Sequence, residues 1–599
     1  MKLIRTRKGV ASRRGVALIY AVFGSFVVAS MVSVMFTMAG VSDRQAAVHN
    51  GQTRGRYLAE GALRVVAKEL QNDLANWKAP TLSGTKVVGG EQVEFTVTAL
   101  GEQVTTTNES GISNLVQPYE LETRVRVDGV RQRAHRIVNA TWTPLFQFAV
   151  FYNSDLEVHA GPNMTLRGRV HSNRDMYLGG GNTITLDTNY VHAVGGVFRY
   201  KKRDGTAAGG NVDIRRWVEN PFDPSAPSEF ERMLSRAQLP VSSTSGYDSN
   251  YRDGLDLDGD GLFTGPGEWL PFEFGAAELW SPPSGYEEGY GQTVMTGQHG
   301  VEEAVTPPIG SIQMYESVEG GSYELDANTG EYSFVGPGLG DHDRGFYHEN
   351  AGLSIIADSS GYGFTVYDAE GNDVTMEVAD AISLDSVPDM RQSNGGSTDV
   401  ETIQLDLGLL ADSGYFPDNG LVYAAHEALG TGTDASGLML TNGSELASAL
   451  TVVSPSSVYV HGDYNVVNKQ GASIIGDAVN LLSNAWDGSK APGTLPSASE
   501  TSFNFAMVTG SYDSVPGRYS GGLENLPRFH ENWSGVACNI SGSFVNLFDS
   551  QHATGDWRYG SDRYRAPIRA WQYDDDFNDL GSLPPFTPMA VETVDIVAW

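Results

Sequence analysis

The hydrophobic pattern divides the chain into regimes with different periods. From Val16 to Val41 no charged residue interrupts an apolar run. Roughly 20 helical residues cross the hydrocarbon core of a bilayer. A spanning segment must pair every backbone amide internally, so this run predicts one membrane-crossing helix. Beyond it, Leu58, Ala62, Leu63, Val66 and Leu70 recur on one face at helical period, extending the helix as an amphipathic stretch to residue 76. Gly40, Gly51, Gly55 and Gly61 read as places where that helix loosens or kinks. Over residues 84–145 the period drops to two, with Val93, Phe95 and Val97, then Leu121, Thr123, Val125 and Val127, then Val138 and Ala140 on one side. Strands that follow a long amphipathic helix predict a small β domain over 77–145 packed on it.

From Phe146 the texture changes again. Leu156/Val158, Met164/Leu166, Met176/Leu178 and Ile184/Leu186 are short apolar pairs separated by Gly- and Asn-rich turns, and the spacing returns at Val458/Val460 and Ile474/Ile475. Regular short strands of this kind suit a solenoid, a sandwich or a meander. The turns hold Gly and Asn rather than hairpin dipeptides, which favours a right-handed β-helix. Residues 146–200 and 401–599 are the two parts of this β-rich body, the second with a C-terminal extension. Residues 201–400 read as an insertion region, with hairpins at Tyr323–Leu325/Tyr332–Phe334 and at Phe364–Tyr367/Val374–Met376. The fold class is therefore α+β, mainly β: a long N-terminal membrane-spanning helix, a small sheet, and a large β-rich ectodomain with inserted loops.

Charge and composition narrow the function. The net charge is −33, although Lys2, Arg5, Arg7, Lys8, Arg13 and Arg14 make the first residues strongly basic. Basic residues before the apolar run keep the N-terminus in the cytoplasm, so the acidic remainder is exported through a single-pass anchor in the inner membrane, to the periplasm or the cell surface. Such acidity repels nucleic acid, excluding it as a partner class, and suits divalent cations. Cys538 is the single cysteine, so neither an intramolecular disulfide nor a cysteine-based zinc site is available; in an apolar strand pattern it reads as a core residue.

The leader Arg13-Arg14-Gly15-Val16-Ala17-Leu18-Ile19-Tyr20 and the later Tyr57-Leu58-Ala59-Glu60-Gly61-Ala62-Leu63 resemble the N-terminal region of PilX-like minor type IV pilins and of the large minor pseudopilin of type II secretion. The resemblance covers residues 10–75. It implies that residues 1–15 are a leader removed by a prepilin peptidase between Gly15 and Val16, and that the helix beginning at Val16 packs among other pilin-like subunits. It also implies that the small sheet is a pilin-like head. Tyr20 departs from the pattern of major pilins, which carry a glutamate five residues after the cleaved bond. That argues against a bulk filament subunit and leaves initiation and tip roles open. An uncleaved signal anchor is the plainer alternative. The texture of the later β region resembles uncharacterised envelope-protein ectodomains, from which no activity carries over.

Asp256-Leu257-Asp258-Gly259-Asp260-Gly261 follows the calcium-loop pattern, in which alternating carboxylates converge on one hard cation. The carbonyl of Leu262 or Phe263 and the side chain of Thr264 continue the set. The closing acid, Glu268, stands one residue later than the standard loop places it. The expected cofactor is Ca²⁺, and the plain alternative is an unliganded acidic turn. Asp574-Asp575-Asp576 with Asp579 is a weaker candidate, more simply a solvated run. Hydrolase and nucleotide signatures are missing. Gly430 stands where the second histidine of a zincin beginning at His426-Glu427 belongs, Gly517–Gly522 has the wrong spacing for a nucleophile elbow, and no Walker loop occurs. Gly179-Gly180-Gly181-Asn182 reads as a tight solenoid turn and His171 as a hydrogen-bonded turn histidine. The sequence thus favours a non-enzymatic minor pilin-like subunit acting in pilus or pseudopilus assembly, tip display or adhesion to a host, surface or polysaccharide. The alternatives are a membrane-anchored β-helix enzyme acting on polysaccharide and a surface adhesin outside any filament.

Overall fold

The structure is a computed structural model. It describes residues 14–75, 80–215 and most of 293–596. Outside the described residues lie 1–13, 76–79, 216–229, 233–292 and most of 315–344, with shorter stretches at 109, 207, 298–300, 359–362, 390, 392–397, 428–435, 490–494, 561–562 and 597–599. The protein is mainly β, with one long apolar helix at the N-terminal end.

Helix α1 (Arg14–Ala75) is uninterrupted through all its glycines. Gly51 and Gly55 lie one turn apart on one face, where the helix backbone comes close to a sheet. A Cβ at Gly51 would stand 3.2 Å from the Val127 carbonyl oxygen, and one at Gly55 would stand 2.8 Å from Gln132 Cγ. These two glycines permit close docking rather than a kink. The docked half buries Leu58, Ala62, Leu63, Val66 and Leu70, the face the periodicity marks.

The sheet beneath it contains β1 (Ser83–Val88), β2 (Glu91–Ala99), β3 (Val104–Thr107), β4 (Ser113–Val127) and β5 (Val130–Pro144), all antiparallel. Two-residue turns set its registers: Gly89-Gly90 and Asp128-Gly129 all have positive φ, the geometry that matches strand twist in a tight hairpin. Val93, Phe95, Val97, Leu121 and Val125 point at the helix. Thr123, polar but on the same face, donates its hydroxyl to the Ala59 carbonyl at 2.9 Å and so enters the core satisfied. The sixth strand of this sheet is Met589–Ile596, antiparallel to β5, with Val591 in the helix–sheet core. Read from the sequence as part of a C-terminal extension, this segment instead returns to the first sheet.

After β5 the chain enters parallel ladders. Strands β6 (Val150–Tyr152), β9 (Val170–Ser172), β12 (Val191–Ala193) and β16 (Val294–Met295) stack in one ladder. Strands β7 (Leu156–Val158), β10 (Met176–Leu178) and β13 (Val197–Phe198) make a second. Strands β8 (Met164–Arg167), β11 (Thr183–Asp187) and β14 (Asn211–Arg215) make a third, with β15 (Phe230–Arg232) antiparallel at its edge. Each turn of chain contributes one strand to each ladder. The connecting turns are so close that a Cβ at Gly180 would collide with the carbonyl oxygen of Ala160 one turn below. Val150, Val170, Val191 and Val294 stack inward, and Phe151, His171, His192 and Met295 stack outward.

The later β strands extend the first ladder on its other side. Phe544–Asp549 pairs with β6, and beyond it come Ala506–Ser511, Ala472–Leu482, Leu450–His461 and then Leu421–His426, all parallel. Two stretches far apart in sequence therefore share one continuous ladder. Part of the expected insertion region belongs to it too. Leu353–Ala357 pairs in parallel with Leu421–His426, and Thr398–Asp406 pairs in parallel with Ser436–Thr441. Strand Phe364–Asp368 pairs with Leu353–Ala357, and the expected return strand is reduced to a Tyr367–Asp373 bridge and the Val374 N–H on the Val366 carbonyl at 2.9 Å, because Thr375 begins a helical turn and its hydroxyl accepts the Val366 N–H. Antiparallel strands at these outer edges cover parallel edges that would otherwise offer unpaired N–H and C=O groups. The hairpin of Ser322–Leu325 with Tyr332–Val335 forms as the turn signals indicate.

Candidate functional site

Along α1 the apolar run and the docked face are separate in space. Residues 16–50 are exposed throughout, and the docked contacts begin at Gly51. The exposed half contains Leu18, Ile19, Phe23, Phe26, Met31, Met35 and Phe36, each more than 60% exposed. So much unshielded hydrocarbon is at home in lipid or against other helices, not in water. Three of its hydroxyls are internally paired: Ser25 donates to Ala21 O at 2.8 Å, Ser30 to Phe26 O at 2.9 Å and Thr37 to Ser33 O at 2.8 Å. Hydroxyls closed onto the preceding turn need no water partner at bilayer depth. A Cβ at Gly24 or Gly40 would meet nothing within 4 Å, so those glycines serve no contact inside this chain. Small residues on an exposed apolar helix let a second helix approach closely.

The described part of the helix begins at Arg14 and includes the Gly15–Val16 bond; Tyr20, 75% exposed, lies one turn beyond Val16. At the other end α1 is tied to the head by Arg54–Glu91 at 2.9 Å, by Lys86 Nζ on Glu69 Oε1 at 2.7 Å and by Gln71 Nε2 on the Val591 carbonyl at 3.3 Å. The last contact joins the helix to the returning strand Met589–Ile596.

Of the sequence-derived ligand candidates, Asp256, Asp258, Asp260, Leu262, Thr264 and Glu268 lie outside the described residues. Asp574, 6% exposed, receives Lys469 Nζ at 2.7 Å, and Asp576 shares that ammonium at 2.7 Å. Asp574 and Asp579 also cap the short helical turns that follow them. This run is tied into the fold rather than simply solvated. Among the described residues, no three His, Cys, Asp or Glu side chains converge in a metal-binding group. His426 is in a strand, with Nε2 on the Gly437 carbonyl at 3.1 Å, and Cys538 is fully buried in a strand.

Sequence reasoning missed a cluster of buried ionisable groups at the second ladder. Glu157 and Glu524 are 3% and 6% exposed. Burial raises the Glu157 carboxyl, against the stabilising hydroxyls of Ser514 and Ser520 and the Lys202 charge. Burial also pushes Glu524 up to about 7, only partly offset by the Arg569 charge. His159, 3.9 Å from Glu157, is held down to about 4 by burial and by the Lys201 and Arg199 charges. No local motif marks these residues, because segments distant in sequence, the strand Leu156–Val158 and the short helical turn Gly522–Asn525, bring them together.

No protein-family model matches the chain, and no curated protein matches it. Among solved structures it is similar to the competence-associated pilin ComZ from Thermus thermophilus, at 10% identity and a TM-score of 0.22, covering 91% of this chain and 97% of that one.

Proposed function

We propose that this chain is a minor pilin-like subunit of the PilX type. The exposed half of α1 anchors it in the inner membrane, N-terminus in the cytoplasm, and later packs among the helices of other subunits. The division of one continuous helix into an exposed apolar half and a half docked on a small sheet carries this reading. The Arg-Gly-Val leader, the target of a prepilin peptidase, supports it. With Tyr20 in place of an acid and an acidic body outside the membrane, the role is initiation or tip display in adhesion. We read the body as a β-helix, right-handed by the rule for parallel crossovers, a reading that the three parallel ladders support. N-terminal sequencing of the mature protein should begin at Val16, and a bulky residue at Gly15 should block processing; an intact Met1 sinks the reading.

The loop from Asp256 to Glu268 is the proposed Ca²⁺ site of that body. Calcium should raise the melting temperature of the full chain, since a ligand that binds the native state alone stabilises it by mass action. Asp256→Ala should abolish that shift. An unchanged shift in the variant would assign the effect to other residues.

A further inference from the structure

This acidic chain carries a basic surface on the outer face of its first sheet. Residues 42–144 hold 12 Lys and Arg against 11 Asp and Glu, whereas residues 145–599 hold 22 against 62. Four of those arginines gather at the closing end of the β4–β5 hairpin. Val125 and Val127 pack against the helix, so Arg124 and Arg126 point to the other face. Arg124, Arg126, Arg131 and Arg133 are all exposed. The register sets Arg124 directly opposite Arg133, and Arg126 directly opposite Arg131. Like charges in directly opposed positions destabilise a sheet. Glu122 relieves part of this repulsion, holding Arg124 through two bonds at 2.9 Å and lying 3.9 Å from Arg133. Glu94 stands opposite Arg124 on β2, and Asp128 stands in the turn itself. Among the described residues, Arg126 and Arg131 enter no ion pair.

The direction of the hairpin gives this surface its meaning. Gly51 lies against Val127 and Val130, Gly55 lies against Val125 and Gln132, and the Ala59 carbonyl accepts the Thr123 hydroxyl. Later helix residues thus meet earlier residues of β4, and the hairpin end is the part of that strand pair nearest the apolar run. Ten residues separate Val41 from Gly51, about 15 Å of helix. A headgroup layer extends roughly 5–8 Å beyond the hydrocarbon core, so the gap left is about one Debye length. The 26 residues from Val16 to Val41 measure about 39 Å as a helix, more than the core of about 30 Å. An overlong span tilts, and tilt toward the sheet brings the hairpin end lower still.

We propose that the arginine-bearing end of the β4–β5 hairpin docks on anionic lipid headgroups of the leaflet nearer the head. Lipid phosphates there supply the counter-charge that Arg126 and Arg131 lack within the chain. This docking rests on the anchoring of α1 proposed above. A neighbouring copy's acidic body has the same complementary charge but lies in the wrong place. The body begins after Pro144, at the far end of the 15-residue strand β5, about 45 Å along the strand from the hairpin end. The same leaflet repels that body, so the head is held down while the body stands away from the surface.

The test is hydrogen exchange of the hairpin, read by mass spectrometry on the full chain reconstituted singly in nanodiscs. Discs of phosphatidylcholine are compared with discs of phosphatidylcholine mixed with phosphatidylglycerol. Amides around Asp128-Gly129 should exchange at least about fivefold more slowly in the anionic discs. Salt at about 1 M should cancel that difference by shortening the Debye length to about 3 Å. Arg126→Gln combined with Arg131→Gln should remove the lipid dependence. Its melting temperature in phosphatidylcholine should be unchanged or raised, because an opposed like-charge pair is gone. Equal exchange in the two lipids, or a lipid dependence that survives in the double variant, overturns the proposal. Slower exchange in phosphatidylcholine when two copies share a disc assigns the arginines to a neighbouring subunit and overturns it too. Should the double variant not fold, the native chain decides, and protection that persists in about 1 M salt overturns the docking. A chain that enters neither disc refutes the anchoring of α1 and the docking with it, whereas insertion without protection refutes the docking alone.

Discussion

Glu524 illustrates what the ladders demand of single residues. Its carboxyl, ordinarily near 4.5, is raised to about 7 in the folded chain, mainly by burial. Between those values the native protein keeps a proton that the unfolded chain releases, so this group makes stability fall as pH rises from about 4.5 to 7. His159 and His171 act in the opposite sense. Both are lowered by burial from 6.5 to about 4, so the unfolded chain binds the extra protons and stability is lost as pH falls through that window. Glu524→Gln removes the first contribution and leaves the second. It should stabilise the protein at pH 8 relative to pH 5, by on the order of 3 kcal/mol, measured as the difference from wild type in denaturant titrations at each pH. No sequence pattern marks Glu524, because nothing within its own segment reveals that a neighbouring turn of chain will exclude water from it.

At the scale of elements, α1 was the most legible feature and the hairpins were partly so. Helical period is a local property, and Leu58, Ala62, Leu63, Val66 and Leu70 all lie on the buried face it marks. The turns Gly89-Gly90 and Asp128-Gly129 likewise announce their conformation through the residues that tolerate positive φ. The role of Gly51 and Gly55 was not legible, since a kink and a close approach call for the same residue. The second expected hairpin forms only as far as Val374: Thr375 accepts the Val366 N–H and begins a helical turn where the strand had been expected to continue. The docked half of α1 should be the element that holds the head together. Leu63, 2% exposed in the helix–sheet core, should cost about 2–5 kcal/mol when replaced by alanine. Val28, 60% exposed in the apolar half, should cost little in detergent when replaced in the same way. A urea titration of the two variants separates the halves, and equal losses would contradict the division.

In the whole molecule, remote segments do the joining. Phe544–Asp549 continues the ladder begun at β6, and Met589–Ile596 completes the sheet begun at β1, so the later chain embraces the earlier one at two places. The sequence by itself determined the exposed apolar helix, its amphipathic continuation, the alternating strands of the head and the mainly β character of the rest. Each of these follows from periodicity, charge or turn chemistry within a short window. Tertiary structure alone decided that Leu353–Ala357 and Thr398–Asp406 belong to the ladder, and that the strand Met589–Ile596 leaves it for the first sheet. Parallel pairing has no local signature: strands whose two faces are both buried carry the same apolar run wherever they lie, and a neighbour is chosen only when distant turns of chain pack together.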